Sequence, residues 1–137
     1  MTTYYDAISK KANKFANMLK NFGIHNGRFI YAIVDDAELL WIAELGTLRF
    51  NCLFGAMPIS TPEKRIKEIL LESKAQLILI DAAFKPMVDK MRSELPELWH
   101  VVVVNFEQCK KASSEVKLGA GDFIFEDYFV PAPDTAP

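Results

Sequence analysis

The sequence predicts an α/β fold of three layers, in which a mostly parallel sheet lies between helices on both of its faces. Two short segments, residues 77–80 and 101–104, consist entirely of Leu, Ile or Val. Strands that are covered by helices on both faces are typically continuous apolar runs of this kind. Segments with apolar residues three or four positions apart alternate with the predicted strands, which favours crossover connections and hence a parallel sheet.

The composition is that of an ordinary globular domain. The 137 residues match one typical domain, and 16 basic against 18 acidic residues give a formal charge of −2 without a basic stripe, so we expect no nucleic-acid partner. The longest apolar passage, residues 39–59, is interrupted by Glu44 and Arg49, and we expect no membrane span. The N-terminus lacks the basic and apolar regions of a secretory signal, which predicts a cytoplasmic protein.

The first helix is predicted to run from the opening of the chain to Phe22. Thr2 or Thr3 can cap it, and Gly23 suits the position that follows a helix. Its apolar residues recur mostly at intervals of three or four, which predicts one buried face. Residues 29–34 are then the first predicted strand.

The second predicted helix, residues 38–50, has more apolar residues than one buried stripe requires. Only Glu38, Glu44 and Arg49 need contact with water. A helix that is apolar on several faces usually packs against more than one neighbour. The sheet accounts for one side, so we expect the other side to contact either further parts of a larger protein or a second copy in a homodimer.

The third predicted helix begins with the clearest local signal in the sequence. Either Thr61 caps it with Pro62 at the first helical position, or Ser60 caps it and Glu63 completes a capping box. Its exposed face is predicted to pair Glu63 with Lys67 and Lys64 with Glu68 at a spacing of four residues. The predicted strands on either side of this helix are residues 52–59 and 77–80.

The rest of the chain contains a fourth predicted helix and strand, followed by irregular segments. Apolar spacing predicts the helix around residues 84–95, His100 precedes the strand 101–104, and residues 108–121 have the composition of a loop. Residues 123–129 are predicted as a short strand or helix. The predicted organisation is an α/β segment at 1–105, a loop with a short apolar element at 106–130, and a proline-rich linker at 131–137.

Three carboxylates are the strongest candidate for a ligand site. Asp35 and Asp36 end one predicted strand and Asp81 ends another, so they should converge at the carboxyl edge of a parallel sheet. Such a cluster could hold Mg²⁺ in a stand-alone, flavodoxin-like receiver or binding module. The alternative is that these aspartates only end strands and cap helices, which aspartates commonly do.

The other reactive side chains give no pattern of a known chemistry. His25 and His100 have no acidic or thiol partner at a useful spacing, and Cys52 and Cys109 have neither the number nor the spacing of a disulfide framework or zinc site. The sequence contains no G-x-x-x-x-G-K-[ST], G-x-G-x-x-G or G-x-S-x-G motif.

A set of stretches stands out by its order and spacing: Thr3-Tyr4, Ala12-Asn13, Phe15-Ala16-Asn17, residues 23–27, 45–51, 61–63, 69–81 and 95–104. In this order they resemble the N-terminal segment of the adenylate-forming (AMP-forming) acyl-CoA synthetases and related ligases. That family opens with T-Y-x-x-L-x-x-x-S/A-N-x-x-A-x-x-L and later has L-G-x-L-(K/R)-A-G, T-P-x-E-L and L-P-x-L-K-x-V-I-V-V. Asp35-Asp36 stands where the family usually has proline and asparagine, and Asn51 where it has glycine.

The resemblance implies a part of an enzyme that joins a carboxylic acid to AMP and transfers the acyl group to coenzyme A, as in fatty acid metabolism. The whole enzyme would use ATP, Mg²⁺ and coenzyme A, whereas we expect no cofactor for this chain alone. The family's phosphate loop, adenine-binding segment and catalytic lysine lie downstream of the matching region, so no catalytic, cofactor-binding or metal-binding residue is assigned. We therefore expect an inactive fragment whose partners are the remaining parts of the ligase N-terminal domain and its C-terminal domain.

Overall fold

The computed structural model describes residues 4–107 and 118–137 and contains one five-stranded parallel sheet. The strand order is β2-β1-β3-β4-β5, with every neighbouring pair parallel. Short 3₁₀ turns, Ala82–Phe84 and Arg92–Glu94, flank α4. The elements are α1 Tyr4–Phe22, β1 Phe29–Ile33, α2 Ala37–Arg49, β2 Leu53–Ala56, α3 Glu63–Ser73, β3 Leu77–Asp81, α4 Lys85–Met91, β4 His100–Val104, β5 Asp122–Ile124 and α5 Phe125–Phe129.

Two hydrophobic cores lie on opposite faces of the sheet. Alternate strand residues such as Leu79 and Val102 face α1, α2 and α5, while their neighbours Ile78 and Val103 face α3 and α4. All four of these side chains are fully buried. The three-layer α/β fold that the sequence predicts is therefore confirmed, because the two apolar runs are buried on both of their faces.

The register of the sheet brings the strand ends to one level. Ile33 pairs with Ile80 across β1 and β3, and Asp81 pairs with Val104 across β3 and β4. The residues that follow β1, β3 and β4 consequently emerge side by side at the carboxyl edge.

Helices α1 and α2 pack closely against each other at Gly46. A Cβ atom at this position would lie 2.7 Å from the Ala12 carbonyl oxygen and 2.7 Å from Phe15 Cβ. Both distances are shorter than van der Waals contact, so only glycine fits without movement of the α1 backbone. The opposite side of α2 faces away from this contact: Trp41 is 62% exposed and Leu48 is 54% exposed.

The start of α3 differs from both predicted capping schemes. Pro62 itself occupies the N-cap position, and no side chain caps the helix. The Thr61 hydroxyl instead donates to the carbonyl oxygen of Pro58 at 2.7 Å, which closes the preceding turn. The predicted charge pairs on the exposed face are also wrong, because the ion pairs formed are Lys67–Glu94 at 2.7 Å and Arg65–Glu68 at 3.4 Å.

The junction between α2 and β2 shows how the chain accommodates its departure from the family pattern. Asn51, in place of the usual glycine, has a φ of 60°. Asparagine tolerates this left-handed conformation better than most residues that carry a Cβ atom. The strand that follows is shorter than the predicted 52–59, because only Leu53–Ala56 pairs with β1.

The C-terminal segment contains both elements that the sequence left open at 123–129, since β5 is followed directly by α5. Residues 130–135 then lie along α1, where their carbonyl oxygens accept hydrogen bonds. Thr2, Thr3, Cys109 and most of the predicted loop at 108–121 lie outside the described residues. Within the described ranges, no helix is long and apolar enough to cross a membrane.

Candidate functional site

The candidate site lies where the sheet changes its direction of winding. The chain moves from β1 to the edge strand β2, and then returns to the other side of β1 as β3. In open α/β sheets, ligands bind at the carboxyl ends of the strands beside such a switch point. The switch point here lies between β1 and β3.

A cleft of about 290 Å³ opens at this point. This volume is at the lower end of the range of about 300–1,000 Å³ that is typical of small-molecule sites. Val34 and Val104 provide apolar surface, while carboxylates and one amide form most of the polar lining. The remaining lining residues are Lys11, Asp35, Asp36, Glu38, Leu39, Ile42, Asp81, Asn105, Phe125, Glu126 and Phe129.

Asp36 and Asp81, two of the three predicted carboxylates, accept hydrogen bonds from neighbouring groups of the chain. Asp36 is the N-cap of α2, and its Oδ1 accepts a hydrogen bond from the Leu39 backbone nitrogen at 3.1 Å. Asp81 accepts from the Ala83 backbone nitrogen through Oδ1 and from Asn105 Nδ2 through Oδ2, both at 3.1 Å. The cap interaction also places a negative charge at the positive end of α2. Asp35 is exposed at the rim.

The structure thus brings Asp35, Asp36 and Asp81 to one cleft, as the sequence predicts, but not into a metal site. Among residues 4–107 and 118–137, no group of three or more His, Cys, Asp or Glu side chains is arranged to hold a metal ion. Of the two interpretations offered by the sequence, the structure favours the structural one for Asp36 and Asp81, which direct carboxylate oxygens at backbone and amide donors, over a Mg²⁺ cluster.

The charge of the cleft limits what it can bind. Five carboxylates line it with one ammonium group, that of Lys11, which pairs with Glu38 at 3.1 Å. Such an excess of negative charge repels anions and attracts cations. The acidic lining does not fit the triphosphate of ATP. Among the described residues, no group of side chains is arranged to hold the accompanying Mg²⁺.

The two histidines lie at the opposite, amino-terminal edge of the sheet. His25 Nδ1 is 3.2 Å from Gln76 Nε2, and the His25 backbone nitrogen donates to Gln76 Oε1 at 3.1 Å. His100 begins β4 and stacks on Phe123 with 5.4 Å between ring centroids. A five-residue strand spans roughly 16 Å. Neither histidine can therefore act together with the carboxylates of the cleft.

Burial changes the acid–base properties of one histidine and one thiol. Burial of His100, reinforced by the positive charge of Arg92, lowers the pKa of its imidazole. Burial raises the pKa of the Cys52 thiol, against the smaller opposing effect of backbone hydrogen bonds from Arg28 and Gly27. The predicted reduced state of Cys52 agrees with the structure, where it is a buried free thiol.

A buried ionic network was missed by the sequence interpretation. Lys85, only 1% exposed, contacts Asp89 at 2.5 Å and Asp122 at 2.8 Å. Arg92 contacts the other oxygen of Asp122, whose side chain is 2% exposed. The spacing of Lys85 and Asp89 was a signal for one pair, but no sequence pattern joins α4 to Asp122 in the distant strand β5. The network fixes β5 to the rest of the molecule, and none of its four residues lines the cleft.

The fold and the cleft define an open parallel α/β unit of the class that binds ligands at the carboxyl edge of its sheet. A family model described as AMP-binding enzyme matches residues 2–134. The chain belongs to the AMP-binding enzyme family.

Curated relatives include ligases and peptide synthetases. The chain is 27% identical over 99 residues to the 3-hydroxybenzoate--CoA/4-hydroxybenzoate--CoA ligase of Thauera aromatica, which covers 72% of the chain and 19% of that ligase. It is 33% identical over 75 residues to the hydroxamate-type ferrichrome siderophore peptide synthetase of Schizosaccharomyces pombe, covering 55% of the chain and 2% of that protein. The chain therefore spans a fifth or less of these relatives.

Solved structures confirm the fold. An anthranilate CoA ligase in complex with anthranoyl-AMP superposes with a TM-score of 0.78 at 22% identity, covering 93% of this chain and 23% of that one. The Brucella canis acyl-CoA synthetase gives a TM-score of 0.76 at 19% identity, covering 98% of this chain and 22% of that one. The three-layer unit is therefore the fold of a segment of such ligases.

Proposed function

We propose that this chain is the first α/β segment of an ATP-dependent ligase that adenylates a carboxylic acid and transfers the acyl group to coenzyme A. The observation that carries the proposal is the family match over residues 2–134. The similarity to the Thauera aromatica CoA ligase supports coenzyme A as the acceptor. Mg²⁺, which would accompany ATP in the whole enzyme, belongs to the same proposal.

The segment alone is proposed to be inactive. The sequence contains no glycine-rich loop of the P-loop type, and the cleft at the switch point is acidic. An acidic cleft without a bound cation opposes the approach of a triphosphate. In this proposal the remaining parts of the ligase supply the phosphate-binding and catalytic groups and cover the exposed side of α2.

Carboxylate-dependent exchange of pyrophosphate into ATP tests the proposed inactivity. The 137-residue chain would be assayed with Mg²⁺ and a panel of hydroxybenzoic, aminobenzoic, fatty and amino acids, beside the Thauera aromatica ligase as positive control. We expect no acid-dependent exchange by the chain. Exchange that depends on one of the acids would contradict the proposal.

The similarity to a peptide synthetase favours a second candidate acceptor for the acyl group. The relative at 33% identity is a peptide synthetase. An amino acid would then be adenylated, and the acceptor would be a protein-bound thiol instead of coenzyme A. The coding sequence beyond the codon for Pro137 distinguishes the two acceptors. A thiolation module in it would favour the peptide synthetase. A complete reading frame that has a glycine-rich loop ending in lysine but no thiolation module would favour the CoA ligase.

A further inference from the structure

One face of α1 holds the C-terminal segment of the chain by its backbone. The donors are two asparagines and one lysine, placed so that they lie on the same side of the helix. Every acceptor is a main-chain carbonyl oxygen. The hydrogen bonds are Asn13 Nδ2 to Asp134 at 3.1 Å, Lys14 Nζ to Val130 at 2.6 Å and Ala132 at 3.1 Å, and Asn17 Nδ2 to Pro133 at 2.9 Å and Thr135 at 2.8 Å.

The chemistry of the two sides is complementary. Prolines at 131, 133 and 137 have no backbone N–H, so this segment offers mainly carbonyl oxygens for pairing. The lysine ammonium donates only, and the amide nitrogens of the asparagines also donate. The side-chain donors of α1 thus contact a segment in which backbone carbonyl acceptors outnumber backbone N–H donors. Because no tail side chain takes part in these bonds, a change confined to the Asp134 or Thr135 side chain leaves every acceptor in place.

The neighbouring helix α2 orients one of the donors. Arg49 Nη1 donates to Asn13 Oδ1 at 3.0 Å and is itself held by the Ser9 carbonyl oxygen at 2.7 Å. Because the amide oxygen of Asn13 is occupied by Arg49, its nitrogen is left to face the tail. Asn13 is therefore oriented by a contact that does not involve the tail.

Burial shows that the contact is close. Asn17 is 8% exposed, and Ala132 of the tail is 6% exposed. The Lys14 ammonium also lies 5.6 Å from the ring centroid of Phe129, within the range of a cation–π interaction. These contacts fix the tail on both its polar and its apolar side.

We propose that Asn13, Lys14 and Asn17 form a main-chain clamp that fixes the path by which the polypeptide leaves this α/β unit after residue 135. The clamp recognises the main chain of residues 130–135, a segment of turns and bends that contains two prolines. Its meaning for catalysis rests on the proposed function: in a ligase, the clamp would set the starting position of the segment that follows. Asn13, Lys14 and Asn17 are thus positioning residues.

Backbone ¹⁵N relaxation of the 137-residue chain tests the clamp. In the unmodified chain we expect order parameters near about 0.85 at Ala132, Asp134 and Thr135, the value of rigid backbone. In Asn17→Ala they should fall below about 0.6, the range of flexible backbone, because two of the five bonds are lost. Asn21→Ala is the matched control, since Asn21 is exposed in the last turn of α1.

Two further variants keep the test decisive. Lys14→Met removes the ammonium but keeps the apolar stem, and it should release the tail even if Asn17→Ala fails to fold. Asp134→Ala keeps the carbonyl oxygen and should leave the tail rigid. A rigid tail in folded Asn17→Ala and Lys14→Met, or a tail released by Asp134→Ala, would overturn the clamp. Neither result involves nucleotide or acid, so the ligase proposal would be unaffected.

Discussion

His100 combines an aromatic contact with a titratable ring at the start of β4. It stacks on Phe123 and lies 5.2 Å from the centroid of Phe22. Its Nδ1 atom is buried without a hydrogen-bond partner among the described residues. The lowered pKa follows from this environment, because burial and Arg92 both disfavour the imidazolium form.

This pKa shift predicts a loss of stability in mild acid. Below the ordinary histidine pKa of about 6.5, the unfolded chain takes up a proton that the folded chain resists. Above about pH 6.5 the histidine should therefore have no effect on the free energy of unfolding. Below about pH 6.5 the free energy of unfolding should fall with decreasing pH, and the fall should end once the pH is below the pKa of His100 in the folded chain. His100→Phe keeps the stacking, removes the proton and should reduce the fall in urea unfolding between pH 7.5 and pH 5.5. An equal fall in both proteins would contradict this assignment.

Residue-level roles were the least predictable from sequence. The positions of Asp36 and Asp81 could be predicted, because strand ends are marked by the end of an apolar run. Their hydrogen-bond partners could not be predicted. Asp81 accepts a hydrogen bond from Asn105, which has a φ of 58° and lies 24 positions further along the chain, so the two side chains meet only in the folded sheet. The sequence likewise offered two caps for α3, Thr61 and Ser60, yet no side chain caps the helix and the Thr61 hydroxyl donates backward to the Pro58 carbonyl oxygen.

At the scale of the elements, the α1–α2 contact depends on the absence of a side chain at Gly46. Gly46→Ala should lower the free energy of unfolding, because the added methyl group meets the Ala12 carbonyl oxygen at 2.7 Å. Overpacking costs about 1–3 kcal/mol, and the better helix propensity of alanine offsets up to about 1 kcal/mol. We expect a net loss of about 1–2 kcal/mol in urea unfolding.

Gly119→Ala is the control for this prediction. A Cβ atom at Gly119 would meet only Asp122 Oδ2, at an ordinary contact distance of 3.5 Å. Its unfolding free energy should stay close to that of the unmodified chain. If Gly46→Ala is as stable as Gly119→Ala, the two helices are not in the close contact described above.

The network of Lys85, Arg92 and Asp122 joins α4 to β5. Removing one member of a buried pair leaves an unpaired charge and costs about 3–5 kcal/mol. Asp122→Asn and Lys85→Met should each be strongly destabilising, and the double variant should lose much less than the sum of the two. A double-mutant cycle in urea measures this coupling, with the exposed Arg65–Glu68 pair as a control expected to couple by less than about 1 kcal/mol. Additive losses at Lys85 and Asp122 would contradict the network.

The elements themselves were largely predictable. The apolar runs at 77–80 and 101–104 became β3 and β4, since burial on both faces demands apolar residues at every position. The network was hidden because Lys85 and Asp122 belong to elements that meet only in the folded sheet. The helix at 84–95 was predicted longer than α4, which the structure bounds with 3₁₀ turns.

For the molecule as a whole, the side of α1 and α2 that faces away from the sheet is apolar and open. Tyr4, Tyr5 and Trp41 are 73%, 71% and 62% exposed and, together with Ile8 and Leu45, line a groove of about 350 Å³. Contiguous apolar surface of this kind usually marks an interaction site. Under the proposed function, further parts of the ligase would cover this surface.

The isolated chain should consequently self-associate through this groove. Sedimentation velocity should show dimers whose fraction increases with concentration, and Trp41→Gln should reduce it because the largest exposed apolar side chain is lost. Trp99→Gln is the matched control, because Trp99 is 47% exposed and lies beside His25 at the amino-terminal edge of the sheet, outside the groove. A monomer at every concentration, or equal effects of the two variants, would contradict the prediction.

This α/β unit belongs to the adenylate-forming ligases, and we expect its described residues to form no nucleotide site. A titration of the ¹⁵N-labelled 137-residue chain with Mg-ATP, followed by backbone amide shifts, tests it without knowledge of the acid. We expect no saturable shifts at Asp35, Asp81 or Asn105 in the cleft. Saturable shifts at these three residues would contradict it.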